Sequence, residues 1–595
     1  MKKRVILPIL LVSVFLLSCF QLAFAEGLDS ITEYNMEIRL NAENLTIEGK
    51  EEIKFINTYE DSLKELVFHL YPDSYESYET LPAIGGVYLG EGLPEIPEEE
   101  KGYINILKVY VNGEETEFVE SNQILKVHMK NPIVPGEEIN ISIEFLLKIP
   151  KGYHRLHYME GVYSLTNWYP ILSVYDEEKD TWDEKPFHPI GESNYSNVSN
   201  YNVKLIVPKN MVVAPTGTIV EEVVDGQNKI VSIKAEKVRD FVIIMSPNYK
   251  VLTREVDGIK ISNYYLSDEK SANILIDEVA KAVKFLNKTF GKYPYDELKI
   301  AETYLSGGAM EYPQVIQMGR YGQLSMSNKE ISVPWTVEAA VHETVHQWWY
   351  VGVGNNEYEE PFLDESLTVF TTAYYFEKEY DPYHENGVKS TICRYLYSDS
   401  IKPLNSSVDD FENWSDYSYL IYTKAPAFFE DLRQRVGEDT FINIMRTYYE
   451  RYLFKNATIE DLLDIIGEIA GKDIEEAMAK ALKEPNYYPE HIRLTEEENR
   501  IFLARWAKER LKSLEKANGL IIGSIALRAM EGEEVVIVKP NYIAENHQQP
   551  VNNLLESLVY SFMAHYNAEI KVVDEKDVNE QIRKSNLIIV GYPEK

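Results

Sequence analysis

The stretch "VHETVHQWWYVGVGNNEYEEPFLDES", residues 341–366, decides how this chain is read. It holds two of only 11 histidines in 595 residues, His342 and His346, with Glu343 between them and Glu365 nineteen positions beyond the second. On an α-helix four residues make just over one turn, so His342 and His346 face the same way. Two imidazole nitrogens at that interval suit a tetrahedral zinc ion. Glu343 sits beside the pair rather than on the metal, where it can take a proton from the attacking water. The surrounding "WTVEAAVHETVHQWWY" has alanines, no internal breaker and Pro334 just before it, so a helix is expected. A catalytic zinc site needs a third protein ligand and an open position. Glu365 is the candidate: Gly352, Gly354 and "NNEYEEP" let the chain turn back, and "ESLTVFTTAYYFEKEY" reads as a second helix with Glu365 in its first turn. A carboxylate at that position has an ordinary explanation too, as a charge favoured by the helix dipole. The upstream histidine pair favours the ligand role, and one zinc ion per chain is the expected cofactor.

The rest of the chain narrows the class. At about 100–200 residues per domain, three or four domains are expected. The formal net charge is −36, from 60 basic and 96 acidic residues, which argues against nucleic acid or an anionic membrane as partner. "MKKR", the apolar "VILPILLVSVFLLS" and the small-x-small "AFA" at 23–25 read as a secretory signal peptide over residues 1–25. "LLSC" at 16–19 offers a second processing route, a lipoprotein signal that leaves Cys19 as a lipidated N-terminus. Either route implies export, to the cell envelope or beyond, with membrane attachment only through the lipid. The other cysteine, Cys393, has no internal partner once the signal is removed, and packs as a small hydrophobe.

From 27 to 250 the pattern is strand-like: Met36, Ile38 and Leu40 alternate with polar residues, as do Ile139, Ile141, Ile143 and Phe145, and "VNGE" at 111–114 marks a hairpin. An antiparallel β domain is expected there. Over 251–485 helical spacing takes over, beginning with "SANILIDEVAKAVKFLNKTF", and "KEPNYYPEH" closes the region. Residues 492–595 alternate strand and helix, with helices near 550–565 and 575–583, and suggest a small parallel α/β unit of unknown role. The fold class is thus multidomain α+β.

The H-E-x-x-H motif, an eighteen-residue interval and Glu365 resemble the zinc signature of the aminopeptidase N family, within the gluzincin metallopeptidases. "HETVHQWW", "EEPFLDES", "NWYP", "VRDF", "YTKA" at 422–425 and "GGAMEYP" at 307–313 carry the same resemblance, which spans roughly residues 30–480. It implies a thermolysin-like, mainly helical catalytic domain behind the β domain. It implies that Glu311 grips the substrate's free α-amino group and that Tyr422 hydrogen-bonds the oxyanion. A charge-assisted pair to the ammonium and a preorganised phenol donor are chemically apt for those tasks. Gly307 and Gly308 permit close backbone approach beside Glu311.

The sequence departs from the family pattern at Tyr312, where the family has Asn, and at Ala425, where it more often has Gly. Tyr417 and Tyr419 are alternatives to Tyr422. A second amine anchor is expected from the β domain, often Gln or Glu in the family; Asn167 in "LTNWYP" is the nearest candidate. The large helical C-terminal domain of many family members has no counterpart in the pattern. The implied activity is hydrolysis of the N-terminal peptide bond, with free-N-terminus peptides as substrates. The alternatives are a gluzincin-type endopeptidase and a zinc-stabilised cell-surface scaffold, although a scaffold would need neither Glu343 nor Tyr422.

Overall fold

The computed structural model describes residues 31–82, 95–321, 335–395, 400–489, 491–492, 494–519, 523–541, 543 and 548–590. The signal-peptide reading over 1–25, Cys19 and Pro334 lie outside the described residues. The chain divides into two compact units, one of Met1–Tyr375 with Asp399–Tyr488, the other of Phe376–Ser398 with Pro489–Lys595.

The first unit opens with the β domain. Its largest sheet has eight strands in the order Thr218–Asp225, Asn228–Val238, Ser199–Pro208, Thr32–Asn41, Thr46–Ile56, Glu138–Lys148, Tyr103–Val111, Glu114–Glu115. The alternation read from sequence is the burial pattern observed: Met36, Ile38 and Leu40 are buried, as are Ile139, Ile141, Ile143 and Phe145. The "VNGE" hairpin is built as expected, with Asn112 and Gly113 both at positive φ, 50° and 81°. One pairing departs from the antiparallel expectation. Thr32–Asn41 runs parallel to Ser199–Pro208, Tyr34 opposite Tyr201. Parallel partners need a long crossover, and here the four-stranded sheet of Ile171–Leu172, Leu63–His69, Ile124–Ile133 and Phe118–Ser121 lies in the intervening chain.

The catalytic part joins a five-stranded sheet to helices. The strand order is Lys250–Val256, Ile259–Tyr265, Glu297–Glu302, Val315–Met318, Ala309–Met310. Helix α1, Glu269–Thr289, starts at Asp268, whose carboxylate accepts from the Ser271 amide at 3.0 Å. Helices α2, Trp335–Val345, and α3, Leu367–Glu379, bracket the site. Arg239 ties the β domain to the catalytic part, donating to Ser196 O at 2.9 Å and to Lys455 O and Asn456 Oδ1 at 2.5 Å each. Gly354 is required there, because a Cβ would lie 2.1 Å from the guanidinium carbon.

The second unit centres on three parallel strands, in the order Lys571–Asp574, Val535–Lys539, Asn586–Ile589. Helix Glu496–Asn518 is closed at its start by a capping box of Thr495 and Glu498. The helix expected near 575–583 is instead two short 3-10 turns, Glu575–Asp577 and Ile582–Lys584. Asn579 accounts for the break: its side-chain oxygen accepts from the amides of Gln581 and Ile582, both at 2.9 Å. Among the described residues no helix is long and apolar enough to cross a membrane.

Candidate functional site

Helix α2 delivers His342 and Glu343; the last helical hydrogen bond, from the His346 amide to His342 O at 3.1 Å, carries His346 just past its end. The chain then turns through Gly352–Gly354 and returns as a π-helical turn, Phe362–Ser366, ahead of α3. Glu365 therefore sits on a π turn and not in the first turn of a regular helix. Such turns recur at functional sites. Consecutive residues of a regular helix point about 100° apart, yet here Asp364 and Glu365 both address His346: Asp364 Oδ1 is 2.8 Å from Nδ1 and Glu365 Oε2 is 3.5 Å from Nε2.

Three donor atoms form a triangle. His342 Nε2 lies 3.1 Å from His346 Nε2 and 3.1 Å from Glu365 Oε2, and the remaining edge is the 3.5 Å already given. Tetrahedral zinc with bonds of about 2.0–2.1 Å needs donors about 3.3 Å apart, so these residues fit that ion. His346 and Glu365 are buried and His342 half-buried, which leaves one side of the triangle approachable. A second cluster, Glu311, His346 and Asp364, has its donors close together too. Asp364, however, faces Nδ1 of His346, on the far side of the ring from the triangle, and that is where a partner that orients a metal-ligating imidazole belongs.

Tyr422 arrives on a second π turn, Tyr419–Lys424. The Ser366 hydroxyl donates to Ile421 O at 2.7 Å and ties the two π turns together. The Tyr422 hydroxyl then reaches Glu365 Oε1 at 2.5 Å. Of the alternatives, Tyr419 is exposed and Tyr417 is fully buried, its ring 5.9 Å from that of Tyr422.

Glu311 follows the edge strand Ala309–Met310 and is 3% exposed. Its segment is pinned to the β domain: Thr216 Oγ1 donates to Pro313 O at 2.9 Å, and the Gly217 amide to Gln314 Oε1 at 2.6 Å. Gly307 has φ 81°, a conformation that favours glycine. Glu311 and Glu343 each keep one carboxylate oxygen without a hydrogen-bond partner among the described residues. Burial pushes both carboxyls up, and the charge of Glu311 pushes Glu343 up further. Burial works against charge on Glu365 as well, but hydrogen bonds from His342 and His346 outweigh it and hold that carboxyl below the usual range. Burial, then Glu365, keeps the Tyr422 phenol protonated and so a donor.

Asn167, the sequence candidate for a second amine anchor, has its amide committed within the β domain, to Asn194 Oδ1 at 3.2 Å and Asp240 Oδ2 at 3.1 Å. The β-domain carboxylate whose charge acts on Glu311 is Glu192, 4% exposed. It is gripped by Arg155, Nη1 to Oε2 at 2.5 Å and Nη2 to Oε1 at 2.7 Å. Tyr312, the departure from the family motif, is packed in a core cluster with Val162, Ala214, Val242 and Ile244. Sequence reasoning missed Asp364, Glu192 and Arg155. Only Asp364 left a local signal, as the first of two consecutive acids in "FLDES".

Two imidazoles and a carboxylate at tetrahedral spacing, with a second carboxylate and a phenol beside them on a mainly helical scaffold, are the parts that zinc-assisted hydrolysis requires. Residues 275–480 match the model of the peptidase family M1 domain. The chain is 27% identical over 222 residues to aminopeptidase 2, mitochondrial, of Saccharomyces cerevisiae, covering 36% of this chain and 23% of that one. It is 23% identical over 445 residues to leucyl aminopeptidase of Saccharolobus solfataricus, covering 69% of this chain and 53% of the relative. The chain thus spans about a quarter to a half of the length of these curated relatives. Among solved structures it resembles an M1 zinc metallopeptidase from Deinococcus radiodurans, with TM-score 0.56 and 14% identity over 78% of this chain and 96% of that one. At that identity the likeness speaks to the fold.

Proposed function

We propose that this chain is an exported zinc-dependent aminopeptidase with one zinc per chain. The donor triangle of His342, His346 and Glu365, with edges of 3.1, 3.1 and 3.5 Å, is the observation that carries the reading. Export rests on the N-terminal signal pattern and the zinc on the fit of the donors. A zinc ion held there would supply a Lewis acid for the scissile carbonyl and lower the pKa of a water. Glu343, buried with a free carboxylate oxygen, accepts the proton of the attacking water and returns it to the leaving amine. Tyr422 donates to the oxygen on which charge develops. Glu311 and Glu192 face the substrate's ammonium from two domains, which restricts attack to the first peptide bond. A structure of the Deinococcus radiodurans M1 zinc metallopeptidase mutant bound to a Tyr-ser-ala substrate makes a short peptide a sensible first probe.

The test compares free and N-acetylated peptides, with and without chelator. Chelator-sensitive release of the N-terminal residue from free peptides only is expected, because acetylation removes the ammonium and leaves the peptide bond. Equal cleavage of both would replace this reading with an endopeptidase; no cleavage of either would leave the zinc-stabilised scaffold.

A further inference from the structure

We infer that Arg155 is a positioning residue for the substrate's ammonium group: its buried two-point ion pair holds Glu192 in place beside Glu311. The inference rests on the aminopeptidase reading above. Arg155 is 2% exposed, and its guanidinium also lies 5.6 Å from the Phe187 ring centroid. A carboxylate offers about four lone-pair sites; the arginine fork occupies two on Glu192, so the others stay open to an ammonium.

The fold ties both acids to this one arginine. Gln317 Nε2 donates to Arg155 O at 3.0 Å. Gln317 pairs with Met310 across the strand ladder, and Glu311 is the next residue. The loop of Arg155 is therefore fixed to Val315–Met318, the strand paired with the one that leads into Glu311. From the other side, Gly191 seats against the catalytic part, where a Cβ would come within 3.0 Å of Val408, and the Asn194 amide donates to Glu357 Oε2 at 2.8 Å. Without Arg155, Glu192 would be a buried, unpaired carboxylate near Glu311. It would turn away or take a proton, and the ammonium would lose a partner in either case.

The experiment uses the full zinc-loaded chain and an aminoacyl anilide with a free amine. Arg155→Met should raise KM roughly ten- to a hundredfold while kcat stays within about threefold and zinc content is unchanged, the signature of lost binding that ground and transition states share. Arg155→Lys should recover only part, because an ammonium cannot make the two-point contact. Glu192→Gln, which keeps the shape, should raise KM similarly, and the double variant should be no worse than either single one, since the two act as a unit. Glu192→Gln carries the test alone if Arg155→Met fails to fold. An unchanged or lowered KM in Arg155→Met, fully additive effects, or an unchanged KM in Glu192→Gln would overturn the inference. A wild type that cleaves no free-amine substrate sinks the aminopeptidase reading itself, which is a separate result.

Discussion

Asp364 Oδ1 stands 2.8 Å from His346 Nδ1, and both side chains are fully shielded from solvent. Trp349 O and Thr368 Oγ1 are hydrogen-bond partners of the same nitrogen, each at 3.2 Å, and the Asp364 carboxyl is nearer still. A carboxyl and a carbonyl oxygen at Nδ1 favour the tautomer with its proton there, which leaves Nε2 as the lone-pair donor toward His342 and Glu365. This is how a partner beyond the ligands fixes the tautomer and raises the basicity of a metal-binding imidazole.

Asp364→Asn should therefore weaken zinc binding by roughly 10–100-fold while the fold persists. Competition against a chelator of known affinity measures it directly. An affinity equal to that of the wild type would mean that the contact is packing and nothing more.

Glu343→Gln keeps shape and most hydrogen bonding but cannot accept a proton. Zinc should stay bound while turnover falls by roughly 10²–10⁴-fold or more. Metal analysis and kcat on the same preparation decide it; near-normal turnover would remove Glu343 from the role of base.

Tyr422→Phe deletes one hydroxyl, the one 2.5 Å from Glu365 Oε1. Losing one oxyanion donor typically costs about 3–4 kcal/mol at the transition state, and the drop should appear mainly in kcat. Tyr417→Phe is the control. A crippled Tyr417→Phe beside a near-silent Tyr422→Phe would reassign the oxyanion donor to Tyr417.

Acid should destabilise the β domain through two histidines, His157 buried and His154 half-buried. Burial pushes both His154 and His157 down to about 4 from an ordinary 6.5. The folded state therefore resists protonation that the unfolded chain accepts. Their contribution is fully present above pH 6.5 and is lost as pH falls toward 4, up to about 3 kcal/mol per histidine at 1.36 kcal/mol per unit. Thermal melts from pH 7.5 to 4 should show Tm falling through this window, with a smaller fall in His157→Asn. An identical pH slope in that variant would show that other groups govern the acid limb.

The sequence by itself determined what local periodicity determines. Spacing of four placed His342 and His346 on one helical face, alternation at Met36, Ile38 and Leu40 chose the buried side of a strand, and asparagine–glycine marked the hairpin at 112–113. Each depends on neighbours along the chain, so the pattern is visible in one dimension. The "YTKA" context already put Tyr422 ahead of Tyr417 and Tyr419; only the tertiary structure showed what aims it at Glu365, a π turn tied to Ser366. It alone brought Arg155 to Glu192, and the loop of Arg155 to Gln317 on the strand paired with Ala309–Met310. Those residues lie 37 and more positions apart, and no periodicity links them. What joins them is the requirement that a buried carboxylate find a counter-charge, which a chain can satisfy only after it has folded.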